Sequence, residues 1–328
     1  MTAAVIDIEY VLPLKSEVSL AGTPLTGYLV RLGELADVTV VDGSPEPVFA
    51  EHARHWRAAV RHTRPEPWPG GNGKVAGVMT GLRAARHEAV VIADDDVRYT
   101  PQNLAAMGRL LGRYDVVRPQ NYFASWPWHA RWDTARTLVN RAVASDFPGT
   151  LGVLRTRVLA AGGYRGDVLF ENLELLRTVR AAGGTERRAD DLFVERVPPS
   201  AAHFVSQRVR QAYDDFAQPA RAAVELSLLP GLLWAAMRPR RLVAPAAAAC
   251  LLAAVGRARS RGGHVFPVGT VLWAPVWVVE RAACVWIAVG ARALGGVRYR
   301  GDRLRVAASP ARVLRRRLAA TGGGSRAR

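Results

Sequence analysis

Short apolar runs alternate, through the first two thirds of the chain, with stretches whose apolar positions recur every three or four residues. Residues 5–14 (VIDIEYVLPL) predict a strand closing at Pro13, and Leu25, Leu29, Leu32 and Leu35 place a helix over 24–35. Residues 38–41 form a second strand that runs into Asp42-Gly43-Ser44. A helix over 51–62 follows, then a turn-rich segment, 65–73, closing in Asn72-Gly73-Lys74. A helix over 75–85 feeds the strand 90–93. Helix 101–111 and strand 115–119 come next, then a loop, 121–129, holding Tyr122, Phe123, Trp126 and Trp128. Helix 132–144, strand 147–154, a helix from Glu171 to Ala182, strand 190–196 and a polar helix over 203–218 complete this part. The alternation predicts an α/β domain with a parallel sheet covered by helices on both faces.

The last third reads differently. Residues 222–237, 242–256 and 265–290 are apolar, separated by Arg238-Pro239-Arg240-Arg241 and by the basic segment 257–264. Crossing a bilayer takes about 20 apolar residues, so the first two are short for a full span and suit an interfacial or re-entrant course. The third is long enough, but Glu280-Arg281 interrupts its middle, which implies an in-plane helix or a pair buried against protein. Trp273, Trp277 and Trp286 strengthen the membrane reading over one of buried core helices. With both chain ends inside, crossings must be even, and two are expected. Three consecutive blocks result: a catalytic-size domain over 1–220, membrane-associated helices over 221–295 and a basic tail over 296–328, disordered beyond Ala320.

Charge sharpens that division. Of the formal +17, residues 1–100 carry −3, 101–220 carry +4 and 221–328 carry +16. Positive charge on the most apolar segment points to anionic lipid; residues 1–220 are too nearly neutral for a nucleic-acid reader. Cys250 and Cys284 lie in apolar stretches without metal-ligand spacing. Acidic Asp7 and Glu9, with no basic residues before them, are unlike a signal peptide, so the large domain is expected in the cytoplasm.

Four places carry candidate chemistry. Asp94, Asp95 and Asp96 end a buried strand, where adjacent carboxylates repel and call for a cation. If the strand continues, Asp94 and Asp96 share one side; a solvated turn capping the next helix is the alternative. Asp42, at the end of another strand, sits where open α/β sheets bind nucleotides, or in an ordinary turn. Lys74 is one of two lysines against 43 arginines and opens a helix after a glycine, as a phosphate ligand does. Glu171 begins a helix as either a capping acid or a general base, and Gln207 and Arg210 share one helical face.

In this order the motifs resemble those of family 2 glycosyltransferases, inverting enzymes of the A-type glycosyltransferase fold. The resemblance runs over most of residues 1–215: Pro13, Val-Val-Asp42-Gly-Ser44, Asn72-Gly-Lys74, Asp94-Asp-Asp96, Phe170-Glu171-Asn172 and Gln207-x-x-Arg210. The segment 295–301 is similar to the ending of membrane-bound members that glycosylate lipids, as ceramide and hopanoid glycosyltransferases do. The resemblance implies a nucleotide-diphospho-sugar transferase-like sandwich with a C-terminal apolar helical membrane region. It puts Pro13, Asp42, Lys74, Asp94 and Gln207 at the nucleotide-diphosphate sugar donor, Asp42 on the base. It puts Mg²⁺ or Mn²⁺ on Asp96, and Glu171, Asn172 and Arg210 among the catalytic residues. The acceptor would be a lipid or polyprenyl hydroxyl at the cell membrane. Two departures stand out: the family's catalytic aspartate falls on Asn172, and Gln211 replaces a tryptophan. Either Glu171 or Glu174 takes over as base, or the acceptor is unusual, or activity is lost and the chain is a non-catalytic nucleotide-sugar or lipid-binding scaffold.

Overall fold

The computed structural model describes residues 6–144, 146–299 and 302–323. In chain order the elements are β1 (Glu9–Leu14), α1 (Pro24–Gly33), β2 (Asp37–Asp42), α2 (Glu46–Trp56), β3 (Arg61–Thr63), α3 (Gly73–Ala84), β4 (Ala89–Ala93) and β5 (Val97–Arg98). Next come α4 (Pro101–Leu111), β6 (Val116–Phe123), α5 (Trp128–Val143), β7 (Thr150–Leu154), α6 (Arg155–Ala160), α7 (Glu171–Ala181) and β8 (Glu186–Arg196). Helices α8 (Ala201–Ser206), α9 (Arg208–Asp214), α10 (Pro219–Ala236), α11 (Val243–Ala258) and α12 (Ala274–Ala293) follow, then β9 (Val297–Tyr299), β10 (Asp302–Leu304) and α13 (Ala311–Gly323).

These form two compact units interleaved along the chain, one of Met1–Pro119, Pro148–Val194 and Ser309–Arg328, the other of Gln120–Phe147 and Glu195–Ala308. The sequence pattern suggested consecutive blocks instead. It did not show that the tail returns to the first unit, where Glu174 accepts the Ser309 N–H at 2.6 Å and Arg177 donates to the Ser309 carbonyl. Residues up to Gly323 are helical, beyond the Ala320 limit expected for order.

The sheet has the order β3-β2-β1-β4-β7-β6-β8-β5. Strands β1 to β4 pair in parallel, with Leu14 opposite Asp42, so the candidate side chains collect at one sheet edge. The wholly parallel sheet expected is corrected here: β7 runs antiparallel to both β4 and β6. The Gly149 carbonyl accepts the Asp94 N–H, so β7 starts where β4 stops and must run back along it. Tyr10 on β1 meets Tyr28 and Tyr99 edge-on in the core beneath α1 and β5. Thr23, Asn72 and Thr100 cap α1, α3 and α4 through side-chain oxygens, each worth about 1 kcal/mol.

Three elements depart from the pattern. The helix expected over 51–62 starts earlier and gives way to β3, because His62 and Thr63 pair with Val40 and Val41. The aromatic loop is largely the end of β6 and the start of α5. The helix expected over 203–218 breaks at Gln207 into α8 and α9. In the second unit α5 packs along α11, and the buried Arg141 guanidinium donates to the Gly256 carbonyl at 3.1 Å and the Arg259 carbonyl at 2.6 Å.

Candidate active site

Strand β4 stops at Ala93, and residues 94–97 make a turn closed by the Val97 N–H donating to the Asp94 carbonyl at 3.1 Å. The extended geometry expected to separate Asp95 from its neighbours is therefore replaced by a turn. The turn still leaves Asp94 and Asp96 half-buried and Asp95 exposed. Gly149 permits it: a Cβ there would lie 2.8 Å from the Asp94 carboxylate. All the side-chain donors in this turn are carboxylate oxygens, the ligand type that Mg²⁺ and Mn²⁺ take.

Lys74 faces the same turn. Its Nζ lies 2.5 Å from Asp94 Oδ1 and 2.8 Å from Glu171 Oε1. Burial alone would depress the ammonium pKa, but the Asp94 and Glu171 charges outweigh it and hold the group above its ordinary value. The second residue of α3 and the first of α7 thus meet over the end of β4. Asn72 fixes this junction from both sides. Its Oδ1 accepts the Lys74 N–H at 3.1 Å, and its Nδ2 donates to the Val168 carbonyl at 3.0 Å.

The other two α7 candidates are placed differently. Asn172 Nδ2 donates to the Pro148 carbonyl at 3.1 Å. Glu174 is fully buried and bonded to the Ser309 N–H, so it is removed from the ion-pair cluster. The alternative in which Glu174 serves as base is corrected accordingly.

Asp42 is separate from the cluster and buried. Its Oδ2 lies 2.7 Å from His52 Nδ1 and 3.0 Å from His62 Nε2, while Oδ1 accepts the Ser44 N–H at 2.9 Å. Leu20 N–H donates to His52 Nε2, so the proton of that ring is on Nδ1 and points at Asp42. Both ring nitrogens of His52 are thereby used, which leaves none for a metal. Burial raises the Asp42 pKa, yet the bonds from His62, Ser44 and His52 prevail and hold it well below the carboxylate range. The Asp42 side chain is fully buried among these partners. Pro13 lies under α3 at Gly77, where a Cβ would come within 2.9 Å of the proline.

Asp42→Asn is expected to cost about 2–4 kcal/mol of stability at pH 7, measured by urea unfolding. A depressed carboxylate contributes fully above the ordinary carboxylate pKa and loses that contribution as pH falls through its lower folded value. The cost should therefore shrink towards acid. An equal cost at neutral and acid pH would contradict this account.

Beside the cluster a cavity of about 360 Å³ is lined by Trp68, Pro69, Gly70, Tyr164, Arg165 and Arg317, among others. Its walls are two touching loops: a Cβ on Gly70 would be 2.1 Å from the Gly166 carbonyl carbon, and Asn72 N–H bonds the Gly166 carbonyl. Trp68 Nε1 donates to the Tyr164 carbonyl at 2.9 Å, fixing the indole. Burial, then the Glu171 charge, push the Tyr164 hydroxyl pKa up, so this wall stands within electrostatic reach of the cluster. The sequence pattern singled out none of Trp68, Tyr164, His52 and His62. The Gly-Gly-Tyr164 turn was the one visible signal.

Gln207 and Arg210 lie in the second unit, where Arg210 Nη1 donates to Gln207 Oε1 at 3.4 Å. Gly295 and Gly296 adopt positive φ before the β9–β10 hairpin, whereas Arg300 and Gly301 of that motif lie outside the described residues.

Residues 30–161, from α1 to the end of β7 and α6, match the model of glycosyl transferase family 2. The chain carries a glycosyl transferase family 2 domain. This glycosyltransferase has the A-type fold. Among solved structures it is similar to a mannosyltransferase from Pyrobaculum calidifontis in complex with GDP-Man and Mn²⁺. That likeness has a TM-score of 0.51 and 20% identity over 86% of this chain and 88% of that one. It is also similar to mannosyl-3-phosphoglycerate synthase from Rubrobacter xylanophilus, with a TM-score of 0.40 and 15% identity over 61% of this chain and 69% of that one. No curated protein matches the chain.

Proposed function

We propose that the glycosyltransferase moves a sugar, with inversion, from a nucleotide-diphosphate donor to a hydroxyl of a lipid or polyprenyl acceptor. The observation carrying this is the Lys74 ammonium held between Asp94 and Glu171 at the sheet edge. Glu171 takes the proton of the acceptor hydroxyl, and that oxygen bonds to the anomeric carbon. The bond from that carbon to the diphosphate oxygen breaks on the opposite face, and the nucleoside diphosphate leaves. Lys74 keeps Glu171 ionised and aimed, and Asp94 completes the same ion pair. Asp96 would hold the divalent cation, which when bound neutralises charge on the diphosphate. Asn172 cannot accept a proton near neutral pH; through Pro148 it positions the start of α7.

The cavity beside Tyr164 is assigned to the acceptor. Its indole wall offers an apolar face, and its polar lining is Arg317 and Arg165, the latter ion-paired with Asp167 in the same wall. Trp68→Ala is expected to raise the acceptor KM about tenfold while the donor KM and donor hydrolysis stay unchanged. A raised donor KM would move the cavity to the donor side.

GDP-mannose with Mn²⁺ is the first donor to assay, since the Pyrobaculum protein was solved with that pair. The test incubates the full-length protein in membranes with radiolabelled nucleotide sugars and extracts the lipid product. Label in the organic phase supports the proposal. Donor binding without turnover across acceptors would favour a scaffold instead.

A further inference from the structure

Helices α10 to α12 have their polarity turned inside out. Along α12, Val276, Val279, Trp286 and Ile287 are exposed on one stripe, while Trp277, Arg281, Val285 and Ala288 are buried on the opposite one. Leu251, Leu252 and Val255 on α11, and Leu233, Trp234 and Met237 at the end of α10, are exposed as well, Leu251 by 66% and Trp234 by 58%. So much exposed apolar surface on neighbouring helices marks a face made for a non-aqueous partner. By length and hydropathy, Pro239–His264 and Val268–Ala293 are each sufficient to cross a bilayer.

The buried side argues against an upright course. Arg281 Nη1 lies 2.9 Å from Asp215 Oδ2, and Arg208 lies 3.7 Å from Glu280 and 3.2 Å from Asp133. Were α12 upright, this network, close to the middle of the helix, would sit at the bilayer centre. It would take with it α9 and the Asp133-Arg136 turn of α5, where charge is most costly. Helix α11 gives the same answer. Its last turn is pressed onto α5 (a Cβ on Gly256 would be 1.8 Å from the Leu138 carbonyl oxygen), so α5 would have to enter with it. Arginines stand at both ends, Arg238 and Arg240 before it and Arg259 and Arg261 after it. An upright helix would send one pair to each side; a helix lying flat sets both at the head groups.

We infer that α10, α11 and α12 lie in the plane of one leaflet of an anionic bilayer. The apolar stripes sink to the acyl boundary, the arginines reach the lipid phosphates, and the ion-pair network stays above the membrane. This rests on the membrane part of the proposed function and is independent of its catalytic part.

The full-length protein with Cys250→Ala and Cys284→Ala is given either Arg240→Cys or Ser260→Cys, at exposed positions flanking α11. Each is treated with a membrane-impermeant maleimide in sealed vesicles of known orientation. Both cysteines are expected to label from the same face. Labelling from opposite faces would overturn the in-plane course and leave the lipid-directed transfer intact. Flotation of the purified protein is run with phosphatidylcholine vesicles with and without phosphatidylglycerol. Binding is expected with the anionic vesicles, and Leu251→Glu and Trp286→Glu should each lower the bound fraction about tenfold at unchanged circular dichroism. No flotation with either vesicle would overturn membrane docking altogether. Should either glutamate variant fail to fold, the cysteine pair still decides the course of the helices.

Discussion

Asp96→Ala is expected to lower sugar transfer by about a thousandfold or more at saturating Mn²⁺, with the fold intact. The turn that carries Asp96 is closed by backbone atoms, Val97 N–H to the Asp94 carbonyl, a bond in which the truncated side chain takes no part. Removing one of three adjacent carboxylates also relieves repulsion, and stability should change by no more than about 1 kcal/mol. What is lost is an oxygen ligand of the kind that a divalent cation on a diphosphate requires. Asp95→Ala is the matched control: Asp95 is exposed where Asp94 and Asp96 are half-buried, and its variant should retain turnover. The measurement is product formed from radiolabelled donor against Mn²⁺ concentration, beside Mn²⁺ binding by calorimetry. Chelation should abolish wild-type turnover and have little left to remove in Asp96→Ala. Wild-type rates in the Asp96 variant would remove the metal from this site.

That the triplet was visible in the sequence, and its geometry was not, has a physical reason. An apolar run breaking into three aspartates reports a buried strand and the point where it meets solvent, because both depend on residue type alone. Whether the chain turns or runs on after Ala93 depends on β7 docking its Gly149 against Asp94, a contact 55 positions away in sequence. The same limit explains the sheet direction: residue patterning gives strands, but which way β7 runs is decided by where it starts. Helix α4 was legible to the residue, since Thr100 and Pro101 mark its start and Gly112 its end within the local sequence. Lys74 was legible as unusual in an arginine-rich chain, though as a phosphate ligand. Its pairing with Glu171 joins the starts of two helices separated by most of the sheet. The triad of Asp42, His52 and His62 was missed because histidines on α2 and β3 carry no periodic signal. In the second unit the apolar stretches read as lipid-directed, yet the partners of Glu280 and Arg281 come from α9 and from the turn after it. Burial of the pair against protein was one of the two readings the sequence left open, but the partners that decide it are distant along the chain.

Glu171→Gln and Lys74→Met are each expected to lower kcat by about 10²–10⁴-fold, and the double variant to be scarcely worse than either. A glutamine amide in place of the Glu171 carboxylate cannot take a proton from an acceptor hydroxyl, which removes the proton-accepting step outright. Loss of Lys74 acts on the same step by a different route. Asp94 Oδ1 and Glu171 Oε1 both lie within 2.8 Å of one nitrogen. Without the ammonium, two part-buried carboxylates face each other, and they will separate or share a proton. Either way Glu171 is no longer an aimed, ionised base. Because both substitutions disable one function, their effects should not add, whereas independent contributions to binding and chemistry would multiply. Lys74→Arg separates charge from shape: guanidinium keeps the charge but cannot occupy the point between the two oxygens, and kcat should fall between wild type and Lys74→Met. Donor affinity, followed by nucleotide-sugar titration, should be unchanged in Glu171→Gln if, as proposed, that side chain serves the acceptor. Near wild-type kcat in Glu171→Gln would remove the base from this position. A fully multiplicative double variant would leave Glu171 as base and give Lys74 a separate task on the donor diphosphate.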